Sequence, residues 1–280
     1  MKIVNYLKRM IKYVLYDYKQ PIVKAEIKEF GINKIHENKI YLITGGGSGL
    51  GYDIAKSLIN SGAKVIITGR NEKKLMNAVN TLGENCEYLT IDITDIDKCN
   101  IALDNLYKKY KKIDGLINNA GVSLHENNFE EVSVENYNIQ FDTNLKGAYF
   151  LSQKYIELYH KHKQKKGNII FISSERGSMC DDLPYGLTKV AINSLTQALS
   201  LRYNGDGIRV NAIAPGVTCS PLVKKEKNDD LYLNKTAGRY LLPEEISNVV
   251  NFILSDFSSA ISGEIINCDV ANHLKCYFKD

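Results

Sequence analysis

The segment IYLITGGGSGLGYDIAKSLINSGAKVIITGR, residues 40–70, limits the fold of this chain more than any other stretch. Ile40 to Thr44 is a short apolar run with β-branched residues, which reads as a buried strand. Beyond it, Leu50, Ile54, Ala55, Leu58 and Ile59 recur at helical spacing, and Val65 to Ile67 form a second buried strand. Five glycines within the seven positions 45–51 therefore sit at a strand-to-helix turn inside a βαβ unit. Free N–H groups at a helix N-terminus attract anions, and glycine lets backbone approach a phosphate that any Cβ would obstruct. The turn is thus a candidate dinucleotide pyrophosphate site. Its pattern from Thr44, T-G-x-x-x-G-x-G through Gly45, Gly49 and Gly51, is one residue wider at the front than G-x-G-x-x-G.

From residue 40 onward, strand and helix patterns alternate. Strands are expected at 40–44, 64–69, 86–91, 115–118, 167–173, 208–214 and 264–268. Helices are expected at about 49–60, 72–82, 95–110, 134–163, 185–203 and 243–254. Such alternation implies an α/β fold, a Rossmann-type doubly wound parallel sheet, with ligands at the C-terminal strand ends. No repeat or Pro-rich linker divides residues 40–280, so they read as one domain whose longest irregular insert is 217–235. Residues 1–39 differ in composition: they carry nine Lys or Arg against four acids, while the whole chain is only +4.

That small net charge gives no case for nucleic acid as a partner. Six cysteines without C-x-x-C spacing and five scattered histidines point to reduced thiols and no metal site. There is no apolar run long enough to span a bilayer and no secretory signal pattern, so a cytoplasmic protein is expected.

Four further signals follow in order: NNAG at 118–121, Asn144 in FDTNLKGAYF, two serines in NIIFISSERG, and Tyr185 with Lys189 in YGLTKVAINSL. With the glycine turn and NAIAPG at 211–216, they make the chain resemble the short-chain dehydrogenase/reductase family over residues 40 to about 270. Tyr185 and Lys189 stand i, i+4 and so share a helix face. A phenol is a poor base at neutral pH, and a nearby ammonium favours its ionised form. The resemblance implies that Tyr185 is the general acid/base and that Lys189 holds the nicotinamide ribose and lowers the tyrosine pKa. It also implies that Ser174, three residues before Gly177, donates to the substrate oxygen, with Ser173 a strand-end residue. Asn144 matches the helix asparagine of a proton relay to Lys189. The cofactor positions implied are Gly45, Gly47, Ser48, Gly49, Leu50, Gly51, Asp92, Ile93, Asn119, Ala120, Gly121, Tyr185, Lys189, Pro215, Gly216 and Val217.

An acid at the end of the second strand would bind the adenosine ribose and favour NAD. Here Gly69 is followed by Arg70, which can pair with a 2′-phosphate. NADP(H) is expected, with NAD(H) as the alternative. Loops 122–133, 175–184 and 217–235 should shape the substrate pocket, and they contain Ser123, His125, Asn127, Asn128, Glu175, Arg176, Asp181 and Asp182. The expected reaction interconverts a carbonyl and a secondary alcohol on a small polar or sugar-like substrate. The alternative is a 3-oxoacyl thioester, with Lys224, Lys225 and Lys227 as carrier-protein contacts. A non-catalytic NADP-binding regulator would be expected to lose Tyr, Lys or Ser, and all three are present. Val270 and Ala271 stand where the family often has a D-G-G turn, commonly near a subunit contact, yet a homo-oligomer is still expected. Finally, Ile3, Tyr6, Leu7, Met10, Ile11, Val14, Leu15 and Tyr18 form an amphipathic helix pattern flanked by basic residues. Its apolar face needs a partner: the enzyme's own body, another subunit, or an anionic membrane surface.

Overall fold

A computed structural model describes residues 34–274. The N-terminal amphipathic pattern lies outside these residues. The described chain runs β1 (Ile40–Thr44), α1 (Gly49–Asn60), β2 (Lys64–Gly69), α2 (Glu72–Leu82), β3 (Cys86–Thr90), α3 (Ile96–Tyr110) and β4 (Gly115–Asn118). It continues with α4 (Val134–Phe141), α5 (Gly147–Lys161), β5 (Gly167–Ile172), α6 (Pro184–Tyr203), β6 (Ile208–Pro215), α7 (Pro243–Leu254) and β7 (Ile265–Cys268). The seven strands form one sheet in the order β3-β2-β1-β4-β5-β6-β7, every neighbouring pair parallel.

Side-chain alternation along the strands divides the core in two. Leu42, Ile66, Leu116, Ile169 and Phe171 point to the face covered by Leu103 and Leu106 of α3, Leu151 and Tyr155 of α5, and Ile192 of α6. Ile43, Val65, Ile67, Ile117 and Ile170 point to the other face, against Ile54 and Leu58 of α1, Leu75 of α2, and Val250 and Ile253 of α7. With both faces covered, the strands are apolar runs rather than alternating ones, as parallel sheets require. Strand order reverses between β1 and β4, and the crevice at the C-terminal ends of those strands is the expected ligand site of such sheets.

Three local differences from the sequence expectations have physical causes. The helix expected over 134–163 is interrupted: Asp142–Lys146 forms a π turn between α4 and α5. The side chain of Asn144 in that turn, 2% exposed, binds the backbone of residue 122: its Nδ2 donates to Val122 O (2.9 Å), and its Oδ1 accepts from Val122 N (2.8 Å). Wide turns of this kind commonly mark functional positions. Secondly, the last residues of the expected extension are built into the body. His36 is 1% exposed, with Nδ1 accepting from Tyr41 Oη at 2.8 Å and Nε2 donating to Asn251 Oδ1 at 3.1 Å. A truncation that spares the body must therefore end before residue 36. Thirdly, Val270 (φ 52°) and Ala271 (φ 63°) keep the left-handed backbone that glycine would favour. Such a conformation costs non-glycine residues roughly 1–2 kcal/mol each.

Candidate functional site

A cleft of about 890 Å³ opens at the C-terminal strand ends and is lined along its length by four groups of residues. The first is the turn after β1. Gly45 (φ 68°) and Gly49 (φ 56°) adopt left-handed backbone, and they line the cleft with Ser48 and Leu50. A Cβ on Gly45 would stand 3.0 Å from Ala120 Cα. Thr44 locks this turn to the end of β4: its Oγ1 accepts from Asn119 N and Ala120 N, both at 3.0 Å, while Asn119 Nδ2 donates to Thr44 O at 2.9 Å. The glycine surface thus lines the cleft at the start of α1, where helix N-terminal N–H groups favour an anion.

Two of the expected cofactor residues stand behind that wall. A Cβ on Gly51 would meet Gly45 O and Asn119 Nδ2, each at 2.5 Å, and one on Gly47 would meet Leu75 Cδ2 at 3.2 Å. Neither lines the cleft; backbone excludes a Cβ at Gly51, whereas at Gly47 Leu75 only crowds it. Their place in the T-G-x-x-x-G-x-G pattern reports how the turn folds onto its neighbours.

The second group is Arg70, Asp92 and Ile93, at the ends of β2 and β3. The Arg70 side chain is 71% exposed and its Nη1 lies 4.0 Å from Asp92 Oδ2, too far for a hydrogen bond. Asp92 instead accepts from Thr94 N (2.9 Å) and Thr94 Oγ1 (2.8 Å). The guanidinium therefore stands over this end of the cleft without a firm partner in Asp92.

The third group is Ser174, Tyr185 and Lys189. Pro184 at the first position of α6 lacks an N–H where none is needed, so the helix begins immediately before Tyr185. Lys189 is 5% exposed; its Nζ donates to Ile172 O at 2.8 Å and lies 5.5 Å from the centre of the Tyr185 ring. Burial pushes the lysine pKa down to about 8. Burial also raises the Tyr185 pKa, opposed by a hydrogen bond with Ser174 and by the charge of Arg176, whose Cζ is 5.6 Å from the ring centre. Loss of water, rather than the lowering expected from Lys189, dominates that pKa. Ser173 turns away: its Oγ donates to Asn193 Oδ1 at 2.6 Å. Asn144 does not line the cleft, but a Cβ on Gly121 would lie 3.4 Å from its Oδ1 and 3.8 Å from Lys189 Nζ, so the two polar groups flank one point.

The fourth group closes the far end. Pro215 ends β6 and Gly216 and Val217 follow it, with Leu222, Val223 and Lys235 from the insert beyond. His125 bridges the mouth, its Nε2 donating to Leu222 O at 3.1 Å. Arg176 makes a two-pronged ion pair with Asp181, and Asp181 Oδ1 accepts from Leu183 N at 3.0 Å beside the start of α6. Asn127 and Asn128 bind Glu131 and leave the cleft to Ser123 and His125. Lys227 pairs with Glu244 (2.8 Å), and Lys225 lies over the Tyr240 ring. Sequence reasoning missed Thr44 and Lys235. The first was legible as the threonine of T-G; the second had no local signal, because its partner Glu175 is 60 positions away.

The family model for short chain dehydrogenases matches residues 39–231. The chain belongs to this family. It is similar to the 3-oxoacyl-(acyl-carrier-protein) reductase FabG of Thermotoga maritima, 30% identical over 241 residues that cover 83% of this chain and 97% of the relative. It is also similar to the uncharacterized oxidoreductase YxbG of Bacillus subtilis, 32% identical over 249 residues, 83% of this chain and 90% of the relative. Among solved structures, the 3-ketoacyl-(acyl-carrier-protein) reductase of Brucella melitensis complexed with NADH superposes with a TM-score of 0.77 at 29% identity, covering 85% of this chain and 99% of that one. This short-chain dehydrogenase is an oxidoreductase of carbonyl and alcohol groups and takes a nicotinamide cofactor. Among the described residues no helix is long and apolar enough to cross a membrane, and no three His, Cys, Asp or Glu side chains form a metal cluster.

Proposed function

We propose that the enzyme reduces the carbonyl of a small polar, hydroxylated substrate with NADPH, and oxidises the matching alcohol with NADP. The observation that carries the reading is the third group of the cleft, where a protonated phenol, a serine hydroxyl and a buried ammonium converge beside the glycine turn. The residues fit the cofactor: Gly45 and Gly49 would cradle the pyrophosphate, Lys189 would bind the nicotinamide ribose, and Arg70 would take a 2′-phosphate. When bound, the cofactor supplies or accepts the hydride at the carbonyl carbon. Tyr185 Oη gives its proton to the carbonyl oxygen, and the raised pKa keeps that proton in place at neutral pH. Ser174 Oγ donates to the same oxygen as charge builds on it. The Lys189 ammonium stabilises the phenolate that remains, and Asn144 anchors the loop at residue 122 beside it.

The NADP preference rests on Arg70, with no carboxylate at the end of β2. The expected result is a kcat/KM at least about tenfold higher with NADPH than with NADH, a difference of about 1.4 kcal/mol. Arg70→Ala should bring the two cofactors to parity by weakening NADPH alone. Equal efficiency in the wild type rejects the NADP preference, and an unchanged ratio in the variant rejects Arg70 as its cause.

A 3-oxoacyl thioester is the second reading, favoured by the names of the relatives and by Met179, Leu222 and Val223 in the cleft wall. Turnover of hydroxyketones against acetoacetyl thioesters separates the two. Tyr149, Phe150, Leu187 and Val190 are large apolar residues left 37–45% exposed on α5 and α6, which supports a homo-oligomer. The free cysteines fit the reducing cytoplasm. The part of the extension before residue 36 then serves solubility, assembly or membrane association rather than hydride transfer, because the catalytic motifs begin after it.

A further inference from the structure

Beside the reacting centre lies a charged pair that proton transfer does not use. Glu175, the residue after Ser174, is 5% exposed yet borders the cleft that holds Ser174 and Tyr185. Its Oε1 accepts from Lys235 Nζ at 3.0 Å and its Oε2 from Asn272 Nδ2 at 2.8 Å. Lys235 also lines the cleft, and its side chain is 40% exposed. Three distant segments thus meet at one carboxylate: the loop after β5, the insert after β6 and the turn after β7. Glu175 is the buried member, so removing Lys235 leaves a buried charge uncompensated, which is costly.

We propose that Glu175 and Lys235 set the substrate's charge class, selecting neutral hydroxylated carbonyl compounds and disfavouring anionic ones. The proposal deepens the oxidoreductase reading above and rests on it. An ammonium has three donors and a carboxylate about four acceptor sites, so the pair keeps both kinds after binding each other and Asn272. Adjacent donor and acceptor groups suit hydroxyls, which are both. A substrate carboxylate gains little here, because any place close to Lys235 Nζ is also close to Glu175. Arg176 at the same end is already matched by Asp181.

Glu175→Gln keeps the shape and one acceptor oxygen while leaving Lys235 without a counter-charge. The test measures kcat/KM with NADPH on two matched neutral and anionic pairs, dihydroxyacetone with hydroxypyruvate and methyl acetoacetate with acetoacetate. The wild type should favour the neutral member, and Glu175→Gln should move the anionic-to-neutral ratio upward by about tenfold or more. Lys235→Met should move it the other way. NADPH affinity and melting temperature, measured on each variant, report intact folding. A merely structural pair would lower both members of each pair alike, and that result overturns the proposal. A wild type that turns over only the acetoacetyl pair rejects the hydroxylated substrate class, while the ratio on that pair still decides the role of the charges. A wild type that binds NADPH and reduces none of the four overturns both.

Discussion

Tyr185→Phe should lower kcat for carbonyl reduction by roughly 10²–10⁴-fold, the usual contribution of a positioned general acid. NADPH binding should stay within about threefold, because only one hydroxyl is removed and the ring keeps its surroundings. Those surroundings are specific. Arg176 Cζ stands 5.6 Å and Lys189 Nζ 5.5 Å from the ring centre, and α6 fixes the residue on its first turn. Cofactor affinity from fluorescence and turnover from NADPH absorbance, taken on the same preparations, check the two halves separately. Turnover near the wild-type value would remove Tyr185 from the proton-transfer role. A joint loss of binding and turnover would mean that the hydroxyl supports the cofactor site.

Ser174→Ala should give a smaller loss, since it removes one donor of the pair that meets the substrate oxygen. Residue 174 is separable from 173 in the structure for a plain reason. Ser173 is 3% exposed and spends its hydroxyl on Asn193, so it ties β5 to α6, whereas Ser174 lines the cleft with Tyr185, its Oγ accepting from Arg176 N at 3.3 Å.

What the sequence made legible is what local spacing encodes. Strand and helix periods, the glycine turn, and the i, i+4 placement of Tyr185 and Lys189 need no knowledge of distant residues, and the strand order then follows from right-handed crossovers. What stayed hidden depends on partners far along the chain. Nothing in the apolar pattern of 134–163 marks the π turn, because the group that occupies Asn144 is the backbone of residue 122. Gly51 looks like its neighbours in the motif, yet only the packing against Gly45 shows why it lacks a side chain. His36 reads as part of a basic extension until Asn251, 215 positions on, supplies its partner. The Glu175–Lys235 pair is of the same kind: two ordinary loop charges meet only when the insert after β6 folds back over the end of β5.

Lys189→Met should have opposite effects on activity and stability. The ammonium is buried with one hydrogen bond of 2.8 Å, to Ile172 O, and burial holds its pKa at about 8 against an ordinary value of 10.5. A lowered lysine pKa means that the unfolded chain binds the extra proton between pH 8 and 10.5, so this group makes stability rise with pH across that window. Below pH 8 the full cost is present, about 3 kcal/mol at 1.36 kcal/mol per pKa unit. Methionine has nearly the same length and no charge. It removes that cost and loses a charged hydrogen bond worth about 1.5–3 kcal/mol, for a net gain of up to about 1.5 kcal/mol at neutral pH. At about 2–4 °C per kcal/mol for a chain of this size, the melting temperature should rise by a few degrees. The wild type's gain in stability between pH 8 and 10.5 should flatten in the variant. Activity should fall by roughly 10²-fold or more, as for loss of a preorganised electrostatic group. In the wild type, kcat/KM for carbonyl reduction should decline above pH about 8, where the ammonium that supports the phenolate loses its proton. Thermal unfolding and pH–rate profiles of both proteins decide the matter. A melting temperature that falls in the variant, with the pH slope intact, would show that the ammonium is well solvated and that its catalytic role needs another explanation.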